Sequence, residues 1–127
     1  MQLSIAGRNA SLDAVNTLLN GGTLEIRTGA AAAIDSAPTG TVLATLTINA
    51  TAFSSASAGS STANAIVDVT ASSAGTAGHY VAKNSSGNAV RNGTAGTSGT
   101  DMILNSTTFG AGDDVSVTSW TYAQATS

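Results

Sequence analysis

The alternation of apolar and polar side chains predicts a mainly β chain. The clearest strand pattern is 114–123, in which Val115 and Val117 occupy one face while Trp120 and Tyr122 occupy the other. Successive side chains of a strand point to opposite faces, so the apolar positions of this segment change face partway along it. A strand that packs one face in a core and shows aromatic rings on the other favours contact with a second surface.

Six further segments have a two-residue period or form short apolar runs between turn residues. They are 23–28, 41–48, 62–70, 77–83, 89–95 and 101–105. Leu43 lies opposite the apolar face of its strand, and in 62–70 we expect Val67 to face inward and Ile66 outward. About seven strands at this spacing predict a β-sandwich, with a jelly roll as the alternative connectivity.

One short helix is predicted near the start of the chain, over residues 9–20. Its inner stripe has a 3.6-residue period and consists of Leu12, Val15 and Leu19. Gly21 supplies the left-handed conformation that ends many helices. Arg8 would fall inside the apolar stripe if the helix began earlier, so we expect residues 1–8 to form an N-terminal arm. The chain 1–127 has the length of a single domain.

Charge is scarce in this sequence, and this narrows the functional classes. Charged residues make up 9% of the chain, against about 25% in an ordinary soluble domain. A surface of hydroxyl and amide groups is tolerable in a protein that is fixed within an assembly. The net charge is −3 and the four basic residues are scattered, whereas nucleic-acid binding needs clustered Lys and Arg. We therefore expect no nucleic-acid partner.

Membrane insertion and thiol chemistry are also disfavoured. The chain has no Cys, so it forms neither disulfides nor thiolate metal sites. Its first residues lack a basic segment followed by an apolar run, which a secretory signal peptide requires. No stretch approaches the ~20 apolar residues that span a bilayer. We expect no membrane contact and no cofactor.

The residues capable of catalysis are spread thinly. His79 is the only histidine and Glu25 the only glutamate, which disfavours a Ser-His-Asp triad and a pair of catalytic glutamates. Asp113 and Asp114 are adjacent at the start of a predicted strand, so their side chains point to opposite faces and rarely share a calcium ion. The spaced glycines of 93–99 lack the strand, helix and Lys of a phosphate-binding loop. We expect a non-enzymatic protein without a metal.

Four apolar side chains on the predicted outer faces of strands are the candidate interface. They are Leu43, Ile66, Trp120 and Tyr122. Trp and Tyr are favoured anchors of protein–protein interfaces. The alternative is that both faces of these strands are covered within the domain, for instance by the helix.

Four stretches of the chain, spread between residues 8 and 122, resemble known proteins. They read RNASLDAVNTLLNGGTLEIRTG, GTVLATLTI, TANAI and GTSGTDMILNSTTFGAGDDVSVTSWTY. Together they resemble small structural proteins of tailed bacteriophages, whose genes tend to lie close to that of the major capsid protein. The motifs are strands and turns, so no functional residues carry over.

The resemblance implies a component of the virion. The expected role is a capsid decoration (cement) protein, which sits on the outer surface of the shell, binds the major capsid protein and ties neighbouring subunits together. Self-association on the shell is expected with it. The alternative is a tail- or fibre-associated module, including one that binds host glycans.

Overall fold

One helix precedes ten strands in the computed structural model, which describes residues 2–124. The helix, α1, spans Ile5–Leu18. The strands are β1 (Thr23–Thr28), β2 (Val42–Thr47), β3 (Ser60–Thr62), β4 (Val69–Thr70), β5 (Gly75–Lys83), β6 (Ala89–Gly96), β7 (Met102–Leu104), β8 (Thr108–Phe109), β9 (Asp114–Val115) and β10 (Val117–Ala123). The predicted mainly β class with one N-terminal helix is confirmed.

Seven of the described strands form one continuous sheet in the order β2-β1-β5-β6-β7-β10-β3, and β8 pairs with one end of β5. Neighbours in this order are antiparallel except β6 and β7, which run parallel. Strands β4 and β9 form a separate ribbon. The arrangement is sandwich-like, as predicted. The jelly-roll connectivity is not confirmed, because a single path of strands containing a parallel pair replaces two antiparallel sheets.

Contacts between distant strands show that the sheet is strongly curled. The ring centroids of Tyr80 on β5 and Trp120 on β10 are 5.2 Å apart, although three strand spacings separate β5 from β10. In a flat sheet these spacings amount to about 14 Å. The sheet therefore bends until the side chains of its inner face meet, and these side chains form the buried core with Leu24, Ile26 and Leu46.

A β-bulge in β2 turns Leu43 towards this core. Ile26 pairs with Ala44 and Arg27 pairs with Val42, so Leu43 is an extra residue between two paired positions. A bulge of this kind interrupts the alternation of side chains along a strand. Leu43 and Ala44 are consequently both buried, although they are consecutive in the chain.

A second register shift, in β10, turns Trp120 of the C-terminal strand towards the core. Between β7 and β10 the pairing passes from Val117 to Ser119, and Thr118 is left over. The change of face that the sequence shows in 114–123 is therefore produced by a bulge. Beyond it, Trp120 points into the same core as Val115.

Helix α1 begins earlier than the sequence predicts. Ser4 caps it, because the N–H of Gly7 donates to the Ser4 hydroxyl at 3.0 Å. Positions 5–8 are thus helical, and the prediction of an arm over 1–8 is wrong for them; Met1 lies outside the described residues. A good N-cap outweighs the weak helix propensity of Gly7 here.

The inner stripe of α1 is narrow. Leu12 and Asn16 are buried within the helix, Val15 is half-buried, and Leu19 is fully buried directly after it. The helix ends at Leu18, two residues before the predicted end. Asn16 takes the position one turn after Leu12, so a polar side chain is carried into the core.

Candidate functional site

The four residues of the predicted interface do not form an exposed surface. Leu43 and Trp120 are buried, and Ile66 and Tyr122 are partly buried against the core. The prediction that Leu43 and Trp120 face outward is wrong, because the two bulges turn them inward. Leu43 and Trp120 therefore belong to the single core of the curled sheet. The alternative, in which the domain covers both faces of these strands, does not apply to β2, because Thr45 and Thr47 on its other face are exposed.

Trp120 lies at the centre of an aromatic cluster inside the curled sheet. The ring of Phe53 packs edge-on against it, with the ring centroids 4.8 Å apart. The ring of Tyr80 on β5 also packs edge-on, with its centroid 5.2 Å from that of Trp120. Such T-shaped contacts contribute about 0.5–1.5 kcal/mol each beyond the burial of area. Burial raises the pKa of the Tyr80 hydroxyl above its usual value.

Arg91 joins this cluster as a buried cation. Its Cζ atom lies 3.7 Å from the ring centroid of Tyr122 and 5.2 Å from that of Phe53. The negative ring faces stabilise the guanidinium in place of a carboxylate, since the ion pairs of the described residues involve only Glu25. Burial lowers the pKa of Arg91 below its usual value.

A short chain of hydrogen bonds connects Arg91 to the helix. Its Nη2 donates to Oδ1 of Asn16 at 2.7 Å, and Nδ2 of Asn16 donates to the hydroxyl of Ser61 at 2.7 Å. Nε and Nη1 of Arg91 are buried and have no hydrogen-bond partner among residues 2–124. The chain ties α1 to β6 and β3, and sequence reasoning missed it. The one available signal was a polar Asn16 on the apolar face of the helix.

A cleft of about 260 Å³ opens between β6 and β10. Strand β7 separates these two strands only from Met102 onward, whereas β6 and β10 both extend beyond that point. The residues lining the cleft are Tyr80, Asn92, Asp101, Thr121, Tyr122 and Ala123. Of the predicted interface, Tyr122 alone reaches this surface feature.

The other chemically capable residues take part in the fold. His79 is buried, and its Nδ1 lies 2.9 Å from the carbonyl oxygen of Gly29, to which it donates. Asp113 accepts the N–H of Gly110 at 2.6 Å and so closes a turn, while Asp114 enters β9. In the described part of the chain, no three His, Cys, Asp or Glu residues stand together as metal ligands.

Glu25 is the centre of an ion cluster on the outer face of β1 and β5. Its Oε1 accepts Nε and Nη2 of Arg27 at 3.0 and 2.8 Å, and its Oε2 accepts Nζ of Lys83 at 3.1 Å. Burial alone would raise the pKa of Glu25. The hydrogen bonds from Arg27 and Lys83 outweigh it, so that the pKa lies below its usual value.

We expect Glu25→Gln to lower the free energy of unfolding by about 1 kcal/mol at neutral pH, since solvent screens part of each ion pair. Because the folded-state pKa of Glu25 is lowered, its contribution is present above the unfolded-state pKa. It is lost as the pH falls through the folded-state pKa. Urea unfolding from pH 7 to pH 3 should therefore show the two proteins converging in acid, whereas a pH-independent difference would contradict the ion-pair explanation. Asp35→Asn, at an exposed position, is the control.

Three large apolar side chains are exposed among residues 2–124: Ile5 and Leu18 on α1, and Val67. Val67 is 81% exposed, so its predicted inward position is wrong. The segment 62–70 leaves the sheet after Ala63, whose N–H donates to the carbonyl of Trp120 at 2.8 Å, and is irregular as far as β4.

Comparisons with known proteins add no information on the function of this chain. No protein-family model, no curated protein and no solved structure matches the chain. The helix found in residues 2–124 is too short and too polar to cross a membrane.

Proposed function

We propose that this chain is a non-enzymatic capsid decoration protein of a tailed bacteriophage. It binds the outer surface of the shell, contacts the major capsid protein and stabilises the contacts between neighbouring capsid subunits. The observation that carries the proposal is the resemblance of four stretches to small virion structural proteins; the stretches are spread between residues 8 and 122 and make up about half of the chain. The net charge of −3 also suits the outside of a shell better than contact with packaged DNA.

The way the structure uses its reactive groups supports a structural role. Glu25 is held by two cations, His79 is buried against a backbone carbonyl, and Asp113 closes a turn. Arg91 is enclosed by aromatic rings. Each of these side chains is engaged in contacts within the fold. Contact with a partner therefore falls mainly to other side chains on the surface.

The exposed apolar side chains are the preferred contacts with the shell. Ile5 and Leu18 lie near the two ends of α1, and Val67 lies on the irregular segment before β4. A protein that bridges subunits needs contacts at more than one point, each desolvating a few apolar groups. Binding to the assembled shell but not to its separated subunits stabilises the assembled state by mass action.

We expect shells that carry the protein to withstand heating better than shells that lack it. At saturating protein the shell gains about 2–3 kcal/mol per occupied site, and the temperature of shell disruption rises accordingly. Differential scanning calorimetry of purified shells measures this. Equal heat stability of the two kinds of shell would sink the proposal.

Substitution at Val67 tests the contact surface. Val67→Ser removes an exposed side chain without touching the core, so we expect normal folding and at least several-fold weaker binding to shells in co-sedimentation. Thr45→Ser, at an exposed position on β2, is the matched control and should bind normally. If Val67→Ser binds as tightly as the unchanged protein, this contact is wrong.

The number of copies per particle separates the proposal from the alternative of a tail- or fibre-associated module. A decoration protein occupies a repeated lattice and is present in large numbers. A tail component is present in a small multiple of its ring symmetry. Quantitative gel staining of purified particles against the major capsid protein distinguishes the two.

A further inference from the structure

The cleft between β6 and β10 takes the place of one missing strand. Strand β7 pairs with β6 on one side and with β10 on the other, so β6 and β10 are separated by one strand as far as Met102. Beyond Met102 the place of that strand is taken by the cleft of about 260 Å³. Both flanking strands continue along it, since β6 begins at Ala89 and β10 ends at Ala123.

The wall formed by β10 presents unpaired backbone groups to the cleft. The carbonyl of Trp120 accepts from Ala63, and the N–H of Gln124 donates at 2.9 Å to the residue before β3. These two positions are therefore turned towards β3. Backbone groups alternate between the two edges of a strand, so the carbonyl of Thr121 and the N–H of Ala123 turn towards the cleft. The pairing of β10 with β7 ends at Trp120, and no turn or loop residue within 2–124 forms a backbone hydrogen bond with either group there.

The opposite wall has the same property. The N–H of Thr94 on β6 donates to Oδ2 of Asp101 at 3.1 Å, which places it on the side of β7. Asn92, two residues earlier, turns its backbone N–H and C=O the same way and lines the cleft. Strand β6 pairs with β7 only at Ala95 and Gly96, and no turn or loop residue in the described range bonds to the backbone of Asn92 on that side. Open strand edges of this kind are templates for pairing.

The floor of the cleft is formed by two tyrosine rings that the fold holds in place. The guanidinium of Arg91 packs on Tyr122 at 3.7 Å but does not line the cleft, so it supports that ring from the core side. Tyr80 lies across Gly93, where an added Cβ would stand 2.8 Å from its ring. The floor is therefore rigid and amphipathic, with apolar rings and a hydroxyl beside the carboxylate of Asp101.

We propose that the cleft receives an extended segment of the shell protein, which pairs as an additional strand between β6 and β10. The proposal rests on the function proposed above. Backbone donors and acceptors on both walls at strand spacing fit a polypeptide better than any other ligand. About three residues of the segment would lie alongside β10, antiparallel to it.

The side chains of the cleft indicate the sequence of that segment. A residue facing the two rings is apolar and small, because the floor is shallow and already filled by Tyr80 and Tyr122. Asp101 is exposed at the mouth and carries a carboxylate that accepts one backbone N–H. A Lys or Arg of the partner next to the apolar residue complements it, in agreement with the acidic net charge of the protein.

Hydrogen exchange of the full chain, free and bound to purified shells, tests the proposal. We expect the amides of Asn92 and Ala123 to exchange at least ten-fold more slowly on the shell, because they become hydrogen-bonded. The amide of Thr45, on the edge strand β2, is the internal reference. Binding without slower exchange at Asn92 and Ala123 would overturn the strand addition and leave the decoration function standing. Failure to bind shells at all would overturn both.

Two further measurements complete the test: binding of substituted proteins to shells, and hydrogen exchange of the free protein at increasing concentration. Asp101→Asn keeps the shape of the cleft and should weaken binding to shells about five- to ten-fold, whereas Asp35→Asn, an exposed carboxylate outside the cleft, should not. Unchanged binding of Asp101→Asn would contradict the predicted basic residue. If the same amides become protected in the free protein as its concentration rises, the occupant is a second copy of this chain and the proposal is wrong.

Discussion

Trp120→Ala is expected to lower the free energy of unfolding by about 3–5 kcal/mol, the cost of emptying a large aromatic site in a packed core. Trp120 is 1% exposed and contacts the rings of Phe53 and Tyr80. It also holds together strands that are distant in the sheet, so its loss removes contacts that keep the sheet curled. Urea unfolding followed by circular dichroism measures the difference.

A graded series makes this expectation specific. Trp120→Phe keeps a ring against Phe53 and Tyr80 and should cost about 1–2 kcal/mol, less than half the effect of alanine. Ile5→Ser removes an exposed side chain and should change stability by less than about 0.5 kcal/mol. A loss below about 1 kcal/mol for Trp120→Ala would show that the aromatic cluster is not the centre of the core.

The sequence predicts strands well where their alternation is uninterrupted. Strand β1 coincides with the predicted 23–28, and β6 exceeds the predicted 89–95 by one residue. Strand β1 is paired with both β2 and β5, and its burial alternates over Thr23–Ile26. Strand β6 is paired with β5 along most of its length and with β7 only at Ala95 and Gly96. The mainly β class follows from these segments and their turns.

The faces of two strands could not be predicted, and the reason is the same for both. Leu43 and Thr118 are extra residues in bulges, and each shifts the alternation by one position. Side-chain alternation has a period of two, so a single extra residue moves the following side chains to the other face. A bulge is a property of the pairing between strands. The change of apolar phase in 114–123 is a trace of it, but the same pattern fits a regular strand that is apolar on both faces. The burial of Trp120 is the direct consequence.

The candidate site depends on tertiary pairing in the same way. The cleft exists because β7 is shorter than the strands on either side of it. The turn at Asp101 determines where β7 begins, and the N–H of Asp101 donates to the hydroxyl of Thr94. The hydrogen bond between Asn16 and Arg91 joins residues 75 positions apart. Local periodicity marks Asn16 as a polar residue on the apolar face of the helix, but it identifies neither its partner nor the cleft.

Asn16→Ala is expected to lower the free energy of unfolding by about 2–3 kcal/mol. The substitution removes the acceptor of Arg91 Nη2 and leaves a buried cation whose Nε and Nη1 already lack partners within residues 2–124. It also removes the donor to the hydroxyl of Ser61. A buried polar group deprived of its partner costs about 1–3 kcal/mol, more when it is charged. Urea unfolding at pH 7 gives the value.

A double substitution distinguishes a polar network from simple packing. Arg91→Met alone leaves Oδ1 of Asn16 without its donor, so we expect a cost of about 1–2 kcal/mol. Asn16→Leu with Arg91→Met replaces both partners by apolar groups of similar size, and should recover most of the loss because no unpaired charge stays buried. The coupling energy between the two positions should then reach about 1 kcal/mol or more.

Additive effects would mean that α1 is held by the burial of Leu12 and Leu19 alone. A strong coupling would mean that the polar chain through Asn16 determines how the helix seats on the curled sheet.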